Sequence, residues 1–261
     1  QLLYIQESSE ASRRELQTQN RKLKQTLQSH SRRYGIIGSS APLLNAVSEL
    51  ERVAHSNANV LLLGENGTGK EMFARTLHTA GRRVSQPFIK VRCANRENGE
   101  LAREIFGSGD TPGLLEQADG GTIFFDEIAA LPPEQQNRLL QVLQENTVCR
   151  TDSTAGRNIN VRIITATTRD LAEEVENGRL DAELYYRLYV VPIRLPSLRE
   201  RRSDIPELAA FLMHRINRET GKNLNLTAEA VEQLQHYAWP GNVYELERFL
   251  TKLAVQSKGN I

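Results

Sequence analysis

The chain reads as an α/β protein: a doubly wound parallel sheet with a smaller helical unit behind it and a linker helix in front. Three observations predict this. From residue 35 to about 195, short runs of β-formers alternate with amphipathic helical patterns, as in parallel strands joined by helical crossovers. After Leu195-Pro196 the strand signal stops and helical periodicity continues. The first thirty or so residues are polar and helix-prone, without Gly or Pro.

In chain order, residues 1–33 form the expected linker helix. Leu16, Asn20, Leu23 and Leu27 fall at heptad-like spacing. A parallel two-stranded coiled coil with Asn20 fixing register is one reading, and a single solvated connector helix is the other. Ser40-Ala41-Pro42 then opens a helix with Leu43, Leu44, Val47, Leu50 and Val53 on one face. Strands are expected at Asn59–Leu63, Phe88–Cys93, Thr122–Phe125, Val161–Ala166 and Val190–Arg194, with a helix at Pro133–Glu145 among those between them. Further helices are expected at Asp204–Thr220, Thr227–Tyr237 and Asn242–Gln256, with Asp204 and Thr227 as N-caps. Trp239-Pro240-Gly241-Asn242 makes the turn between the last two. The domain boundaries are thus 1–33, 34–195 and 196–261.

Composition narrows the function classes. A net charge of +1 gives no global attraction to nucleic acid. Cys93 and Cys149 have no metal-ligand spacing and no disulfide-rich context, which points to reduced core thiols and a cytoplasmic location. No apolar stretch reaches the ~18 residues of a membrane span, so no membrane partner is expected. His55, His78 and His214 lack partners at metal spacing and read as structural. The chain starts without Met, inside a helical pattern, and reads as a piece of a longer protein.

The chemistry is carried by Gly64, Glu65, Asn66, Gly67, Thr68, Gly69, Lys70 and Glu71, directly after the apolar run Val60–Leu63. Glycines let backbone N–H groups close in on a polyphosphate, and Lys70 adds a positive charge at a helix N-terminus. Glu71 stands where the general pattern has Ser or Thr. A second element, Thr122–Phe125 followed by Asp126 and Glu127, places two carboxylates at the end of a buried strand, where open α/β sheets bind ligands. Asp126 can hold Mg²⁺ through water, and Glu127 can orient or deprotonate an attacking water. Together the two elements predict binding of a nucleoside triphosphate.

With these pieces in place, residues 35–256 resemble the central AAA+ domain of bacterial enhancer-binding proteins, the activators of sigma-54 RNA polymerase. The resemblance rests on Gly64–Glu71, Glu116–Thr122, Asp126-Glu127-Ile128, Leu184–Leu188, Leu198–Arg202 and Trp239–Val243. It implies ATP or ADP and Mg²⁺ as ligands, and a helical lid after the sheet. It also implies Arg187 as a cation acting on a neighbouring subunit's nucleotide, with self-association as a dimer or higher oligomer. Ile36, Ile37 and Gly38 would touch the adenine. RNA polymerase would be the partner, and a helix-turn-helix beyond Ile261 would hold DNA. Glu71 after the lysine is usual in this family.

Departures from the family pattern carry a further expectation. The sigma-54-contacting Gly-Ala-Phe-Thr-Gly-Ala loop would follow Gly107, but only Ser108–Pro112 separates that residue from Gly113. Arg92, Thr168, Asp181 and Tyr244 replace, in turn, an Asn that holds the catalytic glutamate, a sensor Asn, a trans arginine and a lid arginine. Arg92 could pair with Glu127 and lower its basicity. These departures imply nucleotide binding with weak or absent hydrolysis, and action with ordinary polymerase or as a repressor. An active ATPase that remodels another partner is the alternative.

Overall fold

The computed structural model describes residues 34–257, so the expectation for residues 1–33 lies outside them. Helix α1 (Ala41–Ala54) leads into strand β1 (Val60–Leu63), the phosphate-type loop and α2 (Lys70–Thr79). Strand β2 (Phe88–Arg92) and α3 (Asn98–Phe106) precede a minimal hairpin of β3 (Gly107–Ser108) and β4 (Thr111–Pro112). Next come α4 (Leu114–Gln117), β5 (Thr122–Asp126) and α5 (Pro133–Glu145). A second hairpin, β6 (Thr147–Cys149) with β7 (Gly156–Asn158), leads to β8 (Arg162–Thr167). Helices α6 (Leu171–Glu176) and α7 (Ala182–Leu188) precede β9 (Val191–Arg194).

Strands β2, β5, β8, β1 and β9 form, in that order, a single all-parallel sheet. From β1 the chain jumps to the far edge at β2, steps back through β5 and β8, then passes β1 to end at β9. The order therefore reverses beside β1, and ligands of open α/β sheets bind at the carboxyl ends near such a reversal. Every residue of β8 is buried, as expected for a central parallel strand. Leu61, Val91, Ile123, Phe125 and Ile163 pack with Leu101, Ile105, Phe106, Leu139, Leu184 and Leu188 in one continuous core.

The amino end of the sheet is closed by Arg162, which is 3% exposed. Its guanidinium donates to the carbonyls of Val53 and Ala54 at 2.8 Å and of Leu77 at 3.2 Å. These are terminal carbonyls of α1 and α2, which lack intrahelical donors and carry the negative ends of the helix dipoles. Beside it, His78 Nδ1 bonds Thr122 Oγ1 at 3.0 Å, and burial together with Arg162 lowers the imidazole pKa.

The chain divides into two compact units: residues 49–197 with 239–245, and the described parts of 34–48, 198–238 and 246–257. The second contains a kinked 3₁₀ turn (Leu198–Asp204), α8 (Ile205–Thr220) and α9 (Ala228–His236); α10 (Asn242–Gln256) begins in the first unit and runs into it. Thr227 caps α9 as expected, its hydroxyl accepting from Ala230 N. Asp204 does not cap α8. Its buried carboxylate accepts from Ser39 N and Ser40 N at 2.8 Å and from Ser40 Oγ at 2.6 Å, so it fixes the entry to α1 instead.

Candidate functional site

The loop after β1 holds the backbone geometry that its glycines suggest. Gly67 and Gly69 have φ of 77° and 103°, values at which an L side chain is strained. Gly69 occupies the N-cap position of α2 without any side-chain cap, so the first N–H groups of that helix keep their donor capacity for an anion. Lys70 Nζ folds back on the carbonyls of Gly64 at 2.8 Å and Glu65 at 3.1 Å. Burial lowers the Lys70 pKa, while Glu127 and Asp126 pull it back up.

Strand β5 delivers the two carboxylates to this loop. Glu127 takes the left-handed conformation, φ 59° and ψ 57°, a strained choice for a residue with a Cβ and one often found at functional sites. The turn aims its carboxylate at Lys70 Nζ, 3.6 Å away. Its other oxygen accepts from Thr168 N at 3.1 Å and Thr168 Oγ1 at 3.0 Å. Asp126 is held by Lys90 Nζ at 3.0 Å, and the same ammonium lies 2.6 Å from Glu71 Oε2. Arg75 takes the other Glu71 oxygen, and the Lys90 hydrogen bond, more than any other group, lowers the Glu71 pKa.

One expectation fails here. Arg92 does not pair with Glu127; among the described residues no ion pair joins them. Arg92 ends β2 with an exposed side chain, opposite Asp126 in the sheet register, whereas the turn at Glu127 swings that carboxylate toward Lys70 and Thr168. Cys93, behind the pair, is a buried thiol pushed up to about 12, first by burial and then by Asp126 and Glu127, which makes it unreactive.

The turn before α10 grips the loop from the side. Asn242, fully buried with φ 52°, donates to Asn66 O at 2.8 Å and to Glu65 Oε2 at 3.2 Å, and Val243 N donates to Gly67 O at 3.0 Å. A Cβ added at Gly67 would meet Gly241 O at 2.2 Å. The sequence marks Asn242 as a turn residue that opens the last helix; its grip on the loop needs the long-range fold.

Arg187 lies in the last turn of α7 with an exposed side chain, and no hydrogen bond or ion pair of its guanidinium is found among the described residues. Asp181 caps that helix, its carboxylate accepting from Leu184 N at 2.8 Å. Ile36, Ile37 and Gly38 belong to the helical unit, where Gly38 packs so close to Asp204 that an added Cβ would lie 2.6 Å from its carboxyl. The shortened segment after Gly107 closes as a two-residue turn, Gly109-Asp110. It is fastened by Asp152, which accepts from Gly109 N and Ser108 Oγ, and by Arg150, which donates to Gly109 O and to the buried Glu116. Among the described residues no three His, Cys, Asp or Glu side chains converge as a metal cage, and no helix is long and apolar enough to cross a membrane.

A five-stranded parallel sheet of this order, a phosphate-type loop after β1, two acids at the end of β5 and a trailing helical unit define an AAA+ module with its lid. The chain belongs to the family of the sigma-54 interaction domain, whose model matches residues 36–194, while residues 199–261 match the AAA+ ATPase lid domain. The Nif-specific regulatory protein of Azotobacter vinelandii is 43% identical over 232 residues, 85% of this chain and 44% of that protein. Crystal structures of NtrX from Brucella abortus in complex with ADP and with ATP superpose with TM-scores of 0.82, at 35% and 34% identity. Each comparison covers 84% of this chain and 50% of that one. The chain spans about half the length of the relatives it matches.

Proposed function

We propose that this chain is the ATP-binding domain of a bacterial transcriptional regulator, one that holds nucleotide with little hydrolysis and does not activate sigma-54. The observation that carries the reading is a contrast within one unit: the loop Gly64–Glu71 keeps its glycines, lysine and open helix start, while the segment after Gly107 is cut to a fastened two-residue turn. The ATP and ADP complexes of NtrX support the nucleotide assignment. Phosphates would lie on Gly67–Glu71, with adenine against Ile36–Gly38. The partly exposed Asp126 carboxylate fits Mg²⁺ held through water, an ion that needs no protein cage, with Lys90 Nζ 3.0 Å from one of its oxygens. Mg²⁺ would neutralise phosphate charge there.

Weak hydrolysis follows from the cations. A trans arginine contributes ~10³–10⁵ in rate to such reactions. Asp181 offers a carboxylate at one of the two expected arginine positions, and Tyr244 replaces the lid arginine. The domain would assemble through Arg187 as a dimer or higher oligomer, with DNA held by a helix-turn-helix outside this sequence. In the cytoplasm it would act with ordinary RNA polymerase or as a repressor. The second reading, a working ATPase with another remodelling target, is favoured by Glu127, held by Lys70 and Thr168 in a strained turn beside the loop.

A pull-down with sigma-54 in the presence of ADP–aluminium fluoride tests the proposal. No stable complex is expected. A complex that survives washing and requires the analogue would overturn it.

A further inference from the structure

The general phosphate loop follows its lysine with Ser or Thr, whose hydroxyl touches Mg²⁺. Position 71 here carries a carboxylate, and what that carboxylate holds is an ammonium. Lys90 Nζ lies 2.6 Å from Glu71 Oε2 and 3.0 Å from Asp126 Oδ2, on a side chain only 18% exposed. The acid expected to face the metal is already paired with a cation supplied by the neighbouring strand β2. Arg75 saturates the other oxygen of Glu71, which leaves Lys90 as the bridge between the two carboxylates.

The geometry points to Lys90 as a resident counter-ion of Asp126, one that lets this domain bind ATP with little dependence on Mg²⁺. This inference rests on the ATP-binding reading above and deepens it. Two effects follow from Coulomb's law at short range in a partly buried site. The ammonium cancels the repulsion that Asp126 would exert on a metal-free triphosphate. It also takes Asp126 Oδ2, one of the two oxygens open to metal-bound water, so the metal adds less than it does at a free carboxylate. Lys90 is therefore a positioning residue; it acts through Asp126 and touches no reacting atom.

The sequence gives little sign of it. Lys90 sits in Phe88-Ile89-Lys90-Val91-Arg92, where an alternating strand reads its polar residues as solvated.

The test titrates the 261-residue chain with ATP, in EDTA and in millimolar Mg²⁺, for the wild type, Lys90→Ala and Lys90→Arg. The wild type should bind with nearly equal affinity in the two buffers. Lys90→Ala should lose about tenfold or more in EDTA while staying within about threefold of wild type in Mg²⁺, because the metal then takes over the vacated role. Lys90→Arg, which keeps the charge, should behave as wild type. Equal losses for Lys90→Ala in both buffers, or a wild type as dependent on Mg²⁺ as the alanine variant, would overturn the inference while sparing the ATP assignment. Absence of ATP binding by the wild type in either buffer would overturn both.

Discussion

The carboxyl ends of β1 and β5 and the paired hairpins β3–β4 and β6–β7 are both dense in charge, but the charges are used differently. At the strand ends, ion pairs set the arrangement, beside the bonds of Lys70 to loop carbonyls and of Thr168 N to Glu127: Lys70 pairs with Glu127, and Lys90 with Glu71 and Asp126. In the hairpins, besides the Arg150–Glu116 pair, side chains grip the backbone of the turn: Asp152 on Gly109 N, Arg150 on Gly109 O, Thr151 Oγ1 on Gly107 O. Contacts of that kind fix a loop's shape. The difference is one of fastening: ion pairs hold the charges beside the loop after β1, whereas backbone bonds hold the short turn after Gly107.

The largest expected effect breaks the first half of the comparison. Lys70→Ala removes the point charge over the loop and should weaken ATP binding at least tenfold, about 1.4 kcal/mol, in a direct titration. Unchanged affinity would remove Lys70 from the site.

A smaller effect separates a structural acid from a lost catalytic arginine. Asp181→Ala should cost about 1 kcal/mol in urea denaturation, because Leu184 N loses its cap. ATP turnover should not change. The cap also means that Asp181→Arg, the change that would restore a trans cation, carries the same stability loss and should be judged on properly folded protein. A rise in turnover from the alanine variant alone would show that the carboxylate itself suppresses the reaction.

The smallest effect sharpens the second half. Arg150 beside Glu116 holds that carboxyl below its ordinary value of 4.5, and Arg179 does the same for Glu174. A depressed folded value stabilises the native state fully above about pH 4.5 and is lost as pH falls through the lowered values. Melting temperature should therefore drop on acidification below about pH 4.5, modestly because the partner arginines face solvent. Glu116→Gln should flatten that drop. An identical acid profile for the variant would mean that the hairpin fastening contributes nothing measurable.

Much of this architecture is legible in local sequence. Each of the five sheet strands appears within a residue or so of its expected limits, because buried parallel strands read as apolar runs. Helices Pro133–Glu145 and Asn242–Gln256 match their predicted limits, carried by strong 3.6-residue periodicity. The two hairpins escape notice because strands of two or three residues carry no period to detect. Asp204 misleads for a different reason. A carboxylate before a helix has the composition of an N-cap, but its three donors come from Ser39 and Ser40, more than 160 positions away. Lys90 at Asp126, Thr168 at Glu127 and Asn242 at Asn66 are hidden in the same way. Spacing along the chain signals a loop and two acids, whereas the partners that hold them come from strands and turns brought together only by the fold.

The central claim, binding kept and hydrolysis crippled, is tested most directly by steady-state phosphate release at an ATP concentration shown by titration to saturate the chain. Ordinary enzymes turn over at about 10 s⁻¹, and loss of arginine contacts worth ~10³-fold predicts release on the order of 10⁻² s⁻¹ or slower. Glu127→Gln should then change little. Release near 10 s⁻¹ that collapses in Glu127→Gln would contradict the account and make this domain a working ATPase.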